Sequence, residues 1–269
     1  MVIKEAIVYG RNILSENGID PREARLLLAS ALKIEPSALI KIDQCSQTEF
    51  ESFQEMLNRR ILGEPFAYIV GFQEFMKLKF LVNPSVLIPR ADTEVLVQEA
   101  IQLGKKKILD LCTGSGCIAI SLAKYLQNSM VDASDISQEA LKIAKENAKQ
   151  NEVVVNFIHS DLFEKIQETY DLIVSNPPYI KKEEIIGLQK EVQHEPIGAL
   201  DGGNDGLYFY QKIAQEASKY LNTNGYLMFE IGFEQAKEVT SILEKNGFQD
   251  IKTIQDLENR DRVIIAKRG

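Results

Sequence analysis

Short apolar segments alternate with amphipathic segments from about residue 93 to the end of the chain. The apolar segments predict buried strands, and the amphipathic ones carry apolar residues at helical spacing. The predicted strands lie at 107–111, 130–134, 153–159, 171–175, 226–231, 251–255 and 262–266, and the helices near 93–103, 117–127, 137–150, 207–221 and 234–246. Because this alternation is typical of βαβ units, it predicts an α/β domain with a parallel, doubly wound sheet and helices on both faces.

The residues before this region follow a different pattern. Phe50, Phe53 and Leu57 lie on one face of a predicted helix near 48–62, and helical spacing extends through the first 72 residues. Short apolar segments around 73–88 then predict a hairpin. We therefore predict a helical bundle at 1–72, a hairpin linker at 73–88 and the α/β domain at 89–269. The bundle carries no glycine loop or paired carboxylates, which favours a packing or docking role.

Composition narrows the function classes. The 269 residues are 45% hydrophobic and 26% charged, an ordinary globular balance. No apolar run approaches the roughly 18 residues of a membrane span, and the first residues lack a secretory signal, so we expect a cytoplasmic protein with no membrane partner. The three cysteines have no CxxC spacing, so no zinc site is predicted. The net charge of −8 argues against a protein that binds chiefly nucleic-acid phosphates.

An Asn-Pro-Pro-Tyr tetrapeptide directly follows the predicted strand at 171–175. A residue before proline avoids the helical region and prolines lack an N–H, so this segment leaves the strand extended and rich in free acceptors. The Asn176 oxygen and the Pro177 carbonyl can hold the two hydrogens of an NH2 group, with Pro178 next to them and the Tyr179 ring packed against the substrate. The segment predicts a site for an amine or an amide.

A glycine-containing loop follows the first strand of the α/β domain. Gly114 and Gly116 allow a tight turn and a close approach of the backbone to a ligand. The same loop contributes Asp110, Cys112, Thr113 and Ser115. Since Ala119 stands at the third glycine position of a dinucleotide fingerprint, the glycines alone do not exclude a nicotinamide cofactor.

Acidic residues occur at the ends of three consecutive predicted strands. Asp135 is placed to bind both hydroxyls of a ribose, and Asp161 to receive the amino group of an adenine, with Leu162 beside it. Asp110 is placed to reach a ligand ammonium. An acid-lined site favours a cationic ligand without phosphates, and S-adenosyl-L-methionine carries a sulfonium and an ammonium.

These motifs resemble those of the seven-stranded S-adenosylmethionine-dependent methyltransferases, a Rossmann-like fold class, and the Asn-Pro-Pro-Tyr motif is similar to that of their amino-methylating branch. The segments at 88–94, 63–68 and 194–196 resemble the HemK/PrmC family of peptide chain release factor N5-glutamine methyltransferases. The resemblance covers nearly the whole chain. Two departures lie in the cofactor site: Cys112 replaces a usual glycine, and Leu162 replaces a frequent tryptophan.

The resemblance implies methyl transfer from S-adenosylmethionine to the glutamine of the GGQ motif in release factors, which leaves S-adenosyl-L-homocysteine. It implies that Asn176, Pro177 and Tyr179 are catalytic, that Pro178 and Glu195 contact the substrate, and that Arg90 and Ile136 join the cofactor residues. It also implies that the helical bundle docks the release factor, and no metal is expected.

Two alternatives remain open from the residues alone. An adenine-N6 methyltransferase acting on DNA or RNA meets the same pair of amino hydrogens, although the acidic charge weighs against it. A nonenzymatic cofactor-binding module that docks onto a partner is the second alternative, and the intact Asn176 argues against that function.

Overall fold

The computed structural model describes residues 1–269 and divides them into two compact units. The first comprises Met1–Gly71 and Gln189–His194, and the second comprises Phe72–Leu188 and Glu195–Gly269. Numbered along the chain, the α-helices are α1 (Ile3–Glu16), α2 (Glu23–Ala31), α3 (Gln47–Ile61), α4 (Phe66–Val70), α5 (Thr93–Leu103), α6 (Cys117–Tyr125), α7 (Gln138–Gln150), α8 (Lys190–Gln193), α9 (Tyr208–Tyr220) and α10 (Ala236–Lys245). The strands are β1 (Phe72–Phe75), β2 (Leu78–Leu81), β3 (Lys107–Leu111), β4 (Met130–Asp135), β5 (Asn156–His159), β6 (Tyr170–Ser175), β7 (Leu221–Glu230), β8 (Phe248–Gln255) and β9 (Asp261–Arg268).

The first unit is helical, and its apolar faces meet around Phe53, Leu27 and Leu14. A capping box fixes the start of α3, since the Ser46 hydroxyl accepts a hydrogen bond from the Glu49 N–H and the Glu49 carboxylate accepts one from the Ser46 N–H. No helix in residues 1–269 is long and apolar enough to cross a membrane.

A six-residue segment from much later in the chain belongs to this first unit. Arg60, whose side chain is 9% exposed, pairs with Glu23 at 2.7 Å and with Glu191 on α8 at 3.1 Å. The sequence pattern predicts residues 189–194 as part of the α/β domain. The carboxylate of Glu191 instead satisfies a guanidinium that α3 buries, and a buried charge without a partner is costly.

The second unit holds a seven-stranded sheet of order β5-β4-β3-β6-β7-β9-β8 and a separate hairpin of β1 and β2. Strands β3 to β7 pair in parallel, whereas β9 runs antiparallel to both β7 and β8. The expectation of a parallel sheet is therefore wrong for β9. Only five residues, 256–260, join β8 to β9, and a parallel pairing needs a crossover of a dozen or more.

Helices cover both faces of the sheet, as the alternation predicts. On one face α5, α6 and α7 pack with Leu96, Ile118 and Ala148, and on the other α9 and α10 pack with Ile213 and Leu243. The chain order reverses between the neighbouring strands β3 and β6. Ligands of such sheets bind beyond the carboxyl ends of the strands at this switch point, and the predicted motifs follow β3, β4, β5 and β6.

Candidate active site

A cavity of about 750 Å³ opens at the carboxyl ends of the central strands. The predicted residues that line it are Arg90, Cys112, Thr113, Gly114, Ser115, Asp135, Ile136, Asp161, Leu162, Asn176 and Pro178. The predicted residues that are absent from its lining are Asp110, Gly116, Pro177, Tyr179 and Glu195. The structure thus brings eleven of the predicted site residues together around the cavity and leaves these five outside its lining.

The two glycines of the loop after β3 face different surroundings. Gly114 has a φ of +55°, lines the cavity, and has no atom within 4 Å of the position that a Cβ would take. Gly116 has a φ of +81°, and its Cβ would lie 2.9 Å from Ile120 Cδ1 and 3.1 Å from Ala144 Cβ. Gly114 therefore suits a close ligand approach, whereas Gly116 allows α6 and α7 to pack. The expectation that both glycines face a ligand is wrong for Gly116.

Asp110 lies beneath this loop and is fully buried. Its Oδ2 accepts hydrogen bonds from the Thr113 hydroxyl at 2.6 Å and from the Ala119 N–H at 3.2 Å. Burial raises the pKa of Asp110 to about 7, because desolvation disfavours the carboxylate more than these donors favour it. Direct contact with a ligand ammonium, the role expected from the sequence, does not fit this position. Asp110 instead holds the loop and the first turn of α6.

Asp135 ends β4 and fixes the loop from the other side. Its Oδ2 accepts a hydrogen bond from the Gly114 N–H at 2.8 Å, and its Oδ1 accepts one from the Ser137 N–H at 2.8 Å. Burial raises the pKa of Asp135, although these hydrogen bonds act in the opposite direction. The carboxylate lines the cavity while it holds the backbone of Gly114, so one side chain shapes the loop and faces a ligand.

Asp161 and Leu162 form the wall that follows β5. The Asp161 side chain is exposed at the cavity, and Leu162 has a φ of +42°, which costs free energy for a residue with a Cβ. The Ser160 hydroxyl stabilises this turn, since it donates to the Leu162 carbonyl at 3.0 Å and accepts from the Lys165 N–H at 3.0 Å. Phe163 then stacks on Tyr220 of α9 at 4.5 Å between ring centroids.

Asn176 faces the cavity from the end of β6. Its Nδ2 donates a hydrogen bond to the Thr93 hydroxyl at 3.3 Å. The Tyr179 hydroxyl, in contrast, donates to Glu230 Oε1 at 3.3 Å, and the Tyr179 carbonyl accepts from Gln235 Nε2 at 3.0 Å. The ring of Tyr179 is absent from the cavity lining, so packing of that ring against a substrate amide does not fit this structure. Tyr179 anchors the tetrapeptide to β7 instead.

Arg90 and Glu195 form an ion pair beside the cavity. The Glu195 side chain is 1% exposed and that of Arg90 is 41% exposed. Glu195 Oε2 also accepts a hydrogen bond from the Ile88 N–H at 3.1 Å. Burial raises the pKa of Glu195, and the Arg90 charge opposes that shift. Glu195 is absent from the lining and holds Arg90 at the rim, which corrects its expected contact with the substrate.

Several cavity residues have no signal in the sequence. Tyr208 and Phe209 come from the start of α9 and Gly198 from the segment before it, whereas Pro196 lies in the segment at 194–196 that carries the family resemblance. The pattern of α9 predicts a helix and does not show which of its faces meets the cavity. Thr93, by contrast, lies inside the segment at 88–94 that carries the family resemblance, so its presence there had a signal.

The charges of the cavity fit a cationic ligand. Its lining carries four carboxylates, those of Asp135, Asp161, Glu164 and Glu216, against two basic groups. One of the basic groups, Arg90, is paired with Glu195. The open space at Gly114, the half-buried carboxylate of Asp135 and the exposed carboxylate of Asp161 fit a ligand that approaches the loop closely and carries positive charge, as S-adenosylmethionine does.

The fold and this cavity define the class of protein, an S-adenosylmethionine-dependent methyltransferase. A solved methyltransferase structure from Pyrococcus furiosus has the same fold, with a TM-score of 0.58, 18% identity, and coverage of 80% of this chain and 99% of that one.

Two family models match the chain. Residues 90–201 match the "Methyltransferase small domain" and residues 5–71 match the "PrmC N-terminal domain". The chain is 40% identical to the release factor glutamine methyltransferase of Geobacter sulfurreducens, over 99% of this chain and 97% of that protein. It is also 40% identical to the release factor glutamine methyltransferase of Clostridium acetobutylicum, over 100% of this chain and 99% of that protein. The chain belongs to the release factor glutamine methyltransferase family.

Proposed function

We propose that this protein transfers a methyl group from S-adenosylmethionine to the side-chain amide nitrogen of the glutamine in the GGQ motif of peptide chain release factors. The observation that carries the proposal is the exposure of Asn176 in an acid-lined cavity, in a chain that is similar over 99% of its length to a release factor glutamine methyltransferase. The family relation supports the substrate class, and the cavity supports the reaction type.

The predicted cofactor residues each serve a different part of S-adenosylmethionine. The Asp135 carboxylate would receive the ribose hydroxyls and Asp161 the adenine amino group, and Ile136 and Leu162 would contact the adenine. Gly114 admits the close approach of the ligand to the loop, and Thr113 and Ser115 lie beside it. The Arg90 guanidinium is available to the carboxylate of the methionine portion. When bound, the cofactor supplies an electrophilic methyl group on a sulfonium.

Asn176 binds and orients the substrate amide. A glutamine amide nitrogen is a weak nucleophile because its lone pair is delocalised into the carbonyl. Acceptors placed at its two hydrogens become more favourable as positive charge develops on that nitrogen, so they stabilise the transition state more than the ground state. Asn176 Oδ1, which lines the cavity, is such an acceptor and holds the nitrogen in line with the methyl group; the Pro177 carbonyl, expected as the second acceptor, belongs to a residue absent from the lining.

No general base is needed in this mechanism. The nitrogen becomes acidic only after it is methylated, and its proton then leaves to solvent. No chemistry in this scheme requires a metal. The products are N5-methylglutamine in the release factor and S-adenosyl-L-homocysteine. We further propose that the first unit docks the release factor, that the protein is cytoplasmic and that it binds no nucleic acid or membrane directly.

The test is a transfer assay with a labelled methyl donor, offered a release factor and an adenine-containing oligonucleotide in parallel. We expect label in the release factor and none in the oligonucleotide. The opposite result replaces this substrate with an adenine base. A protein that binds the cofactor and labels neither acceptor is a nonenzymatic module.

Two substitutions test the roles within the site. Asn176→Ala is expected to bind the cofactor with a Kd within about threefold of the wild type and to lose about 100-fold or more in kcat. Asp135→Ala is expected to raise the cofactor Kd by about tenfold or more, since it loses both hydroxyl contacts and the support of Gly114. Asp43→Ala, at an exposed aspartate of the first unit, is the control. An unchanged cofactor Kd in Asp135→Ala removes the ribose role.

A further inference from the structure

A cluster of buried polar groups lies directly behind Asn176. Thr93, at the start of α5, is 3% exposed, and Glu230, at the end of β7, is 2% exposed. The Thr93 hydroxyl accepts a hydrogen bond from Asn176 Nδ2 at 3.3 Å, and the neighbouring Glu230 carboxyl has its Oε2 buried without a hydrogen-bond partner. These three side chains come from separate parts of the second unit and form one cluster that reaches the cavity at Asn176.

The two ends of the Asn176 amide are not equivalent for the proposed chemistry. An NH2 substrate needs an acceptor, which only Oδ1 provides, while Nδ2 carries donors that would repel the substrate hydrogens. The observed contact of Nδ2 with Thr93 turns Oδ1 away from Thr93 and leaves it for the substrate. The orientation of this amide therefore decides whether the site can hold its substrate.

The hydroxyl of Thr93 can set that orientation because it has a single proton. A carboxylate only accepts hydrogen bonds, so a hydroxyl that bonds to the charged form of Glu230 must donate its proton there. Its oxygen is then left as an acceptor, which selects Nδ2 of Asn176. Glu230 is itself fixed, since the Tyr179 hydroxyl donates to its Oε1 and the Tyr210 hydroxyl donates to its backbone carbonyl at 3.0 Å.

We propose that Thr93 and Glu230 are positioning residues that hold the Asn176 amide with Oδ1 toward the substrate. This inference rests on the proposed role of Asn176 as the acceptor for the substrate amide. Behind the observed hydrogen bond from Asn176 to Thr93, it adds one from the Thr93 hydroxyl to the unpartnered Oε2 of Glu230. It also explains why a carboxylate is buried behind an apolar cavity wall, where an isolated charge is costly.

The protonation state of Glu230 makes the orientation of the Asn176 amide depend on pH. Burial raises the pKa of Glu230 to about 7, against the neighbouring Thr93 hydroxyl, the charge of Arg262 and the hydrogen bond from Tyr179. The titratable and charged groups that face it come from the segment before α5, from α6, from the tetrapeptide, from α9 and from β9: Asp92, Cys117, Tyr179, Tyr210 and Arg262. A protonated Glu230 can donate to Thr93. Thr93 can then donate to Asn176 Oδ1 and turn the amide around.

The first test compares Thr93→Val, which keeps the shape of the side chain without its hydroxyl, with Thr93→Ser, which keeps the hydroxyl. With a release factor and S-adenosylmethionine, we expect Thr93→Val to lose about 10- to 100-fold in kcat, with KM for the release factor and the cofactor Kd within about threefold. Thr93→Ser is expected to stay within about threefold of the wild-type kcat. The control is Thr169→Val, which removes an exposed hydroxyl bonded to Asn222 at 2.6 Å.

A double-mutant cycle separates orientation of Asn176 from a general effect on packing. In the Asn176→Ala background there is no amide to orient, so Thr93→Val is expected to cause no further loss in kcat. Losses that multiply in the double variant overturn the proposal, as does a kcat within twofold of the wild type in Thr93→Val.

The pH profile gives an independent result if Thr93→Val does not fold. We expect the wild-type kcat to fall as the pH drops below about 7, and Glu230→Gln to have a low kcat without this acidic limb. An unchanged limb in Glu230→Gln overturns the role of Glu230. If the wild-type protein leaves the release factor unmethylated, the proposed function fails. If the wild-type protein is active and Thr93→Val is equally active, only this inference fails.

Discussion

Alanine substitution at the two loop glycines is expected to separate folding from cofactor binding. Both glycines have a positive φ, and forcing a residue with a Cβ into that region costs about 1–2 kcal/mol. Gly116→Ala adds contacts of 2.9 Å with Ile120 and 3.1 Å with Ala144, and overpacking of this kind costs a further 1–3 kcal/mol or so. We therefore expect the free energy of unfolding to fall by about 2–5 kcal/mol in Gly116→Ala. The expected fall is about 1–2 kcal/mol in Gly114→Ala, which meets no neighbouring atom.

The order of the two variants reverses for cofactor binding. The new methyl group of Gly114→Ala points into open space at the cavity, where the ligand must approach the backbone, so we expect the Kd for S-adenosylmethionine to rise about tenfold or more. Folded Gly116→Ala is expected to bind within about threefold of the wild type. Urea unfolding measures the change in the free energy of unfolding, and calorimetric titration measures the change in the Kd for S-adenosylmethionine. Equal destabilisation of the two variants, or tight binding by Gly114→Ala, refutes the assignment of the glycines.

Three further substitutions test other parts of the structure. Folding raises the pKa of Asp110 to about 7, so its contribution to stability is full at low pH and is lost as the pH rises through 7. In urea unfolding, the wild-type protein should therefore lose about 2–3 kcal/mol more stability between pH 5 and pH 8 than Asp110→Asn does. The same pH dependence in both proteins contradicts this. Cys112 has a φ of +59°, so Cys112→Gly is expected to raise the free energy of unfolding by about 0.5–1 kcal/mol, and a decrease contradicts the strain. Arg60→Met is expected to lower the free energy of unfolding by about 1–3 kcal/mol, because Glu23 and Glu191 lose their partner. It is also expected to speed proteolysis at 189–194, and unchanged cleavage there rejects the role of the ion pairs.

The elements of the fold could be predicted because their local patterns agree with the final structure. The helix predicted at 93–103 is α5, and the strand predicted at 107–111 is β3. The direction of β9 could not be read from its apolar residues, since parallel and antiparallel buried strands have similar composition; the short connection at 256–260 was the available signal. The place of 189–194 depends on the pairing of Glu191 with Arg60, 131 residues away, which no local pattern carries.

The sequence predicted which residues lie near the cavity better than it predicted what each of them contacts. Acids at strand ends mark the cavity because strand ends converge there, and Asp135 and Asp161 line it. Depth is set by tertiary packing, so the sequence did not show that Asp110 and Tyr179 lie behind the wall. The same holds for Glu230, which ends a buried strand and has no motif around it.

Tandem mass spectrometry of a release factor, after incubation with this protein and S-adenosylmethionine, tests the proposed function most directly. We expect one added methyl group on the side-chain amide of the GGQ glutamine, present with the wild-type protein and missing with Asn176→Ala. A methyl group on another residue, or full methylation by Asn176→Ala, contradicts the claim that Asn176 holds a glutamine amide in this cavity.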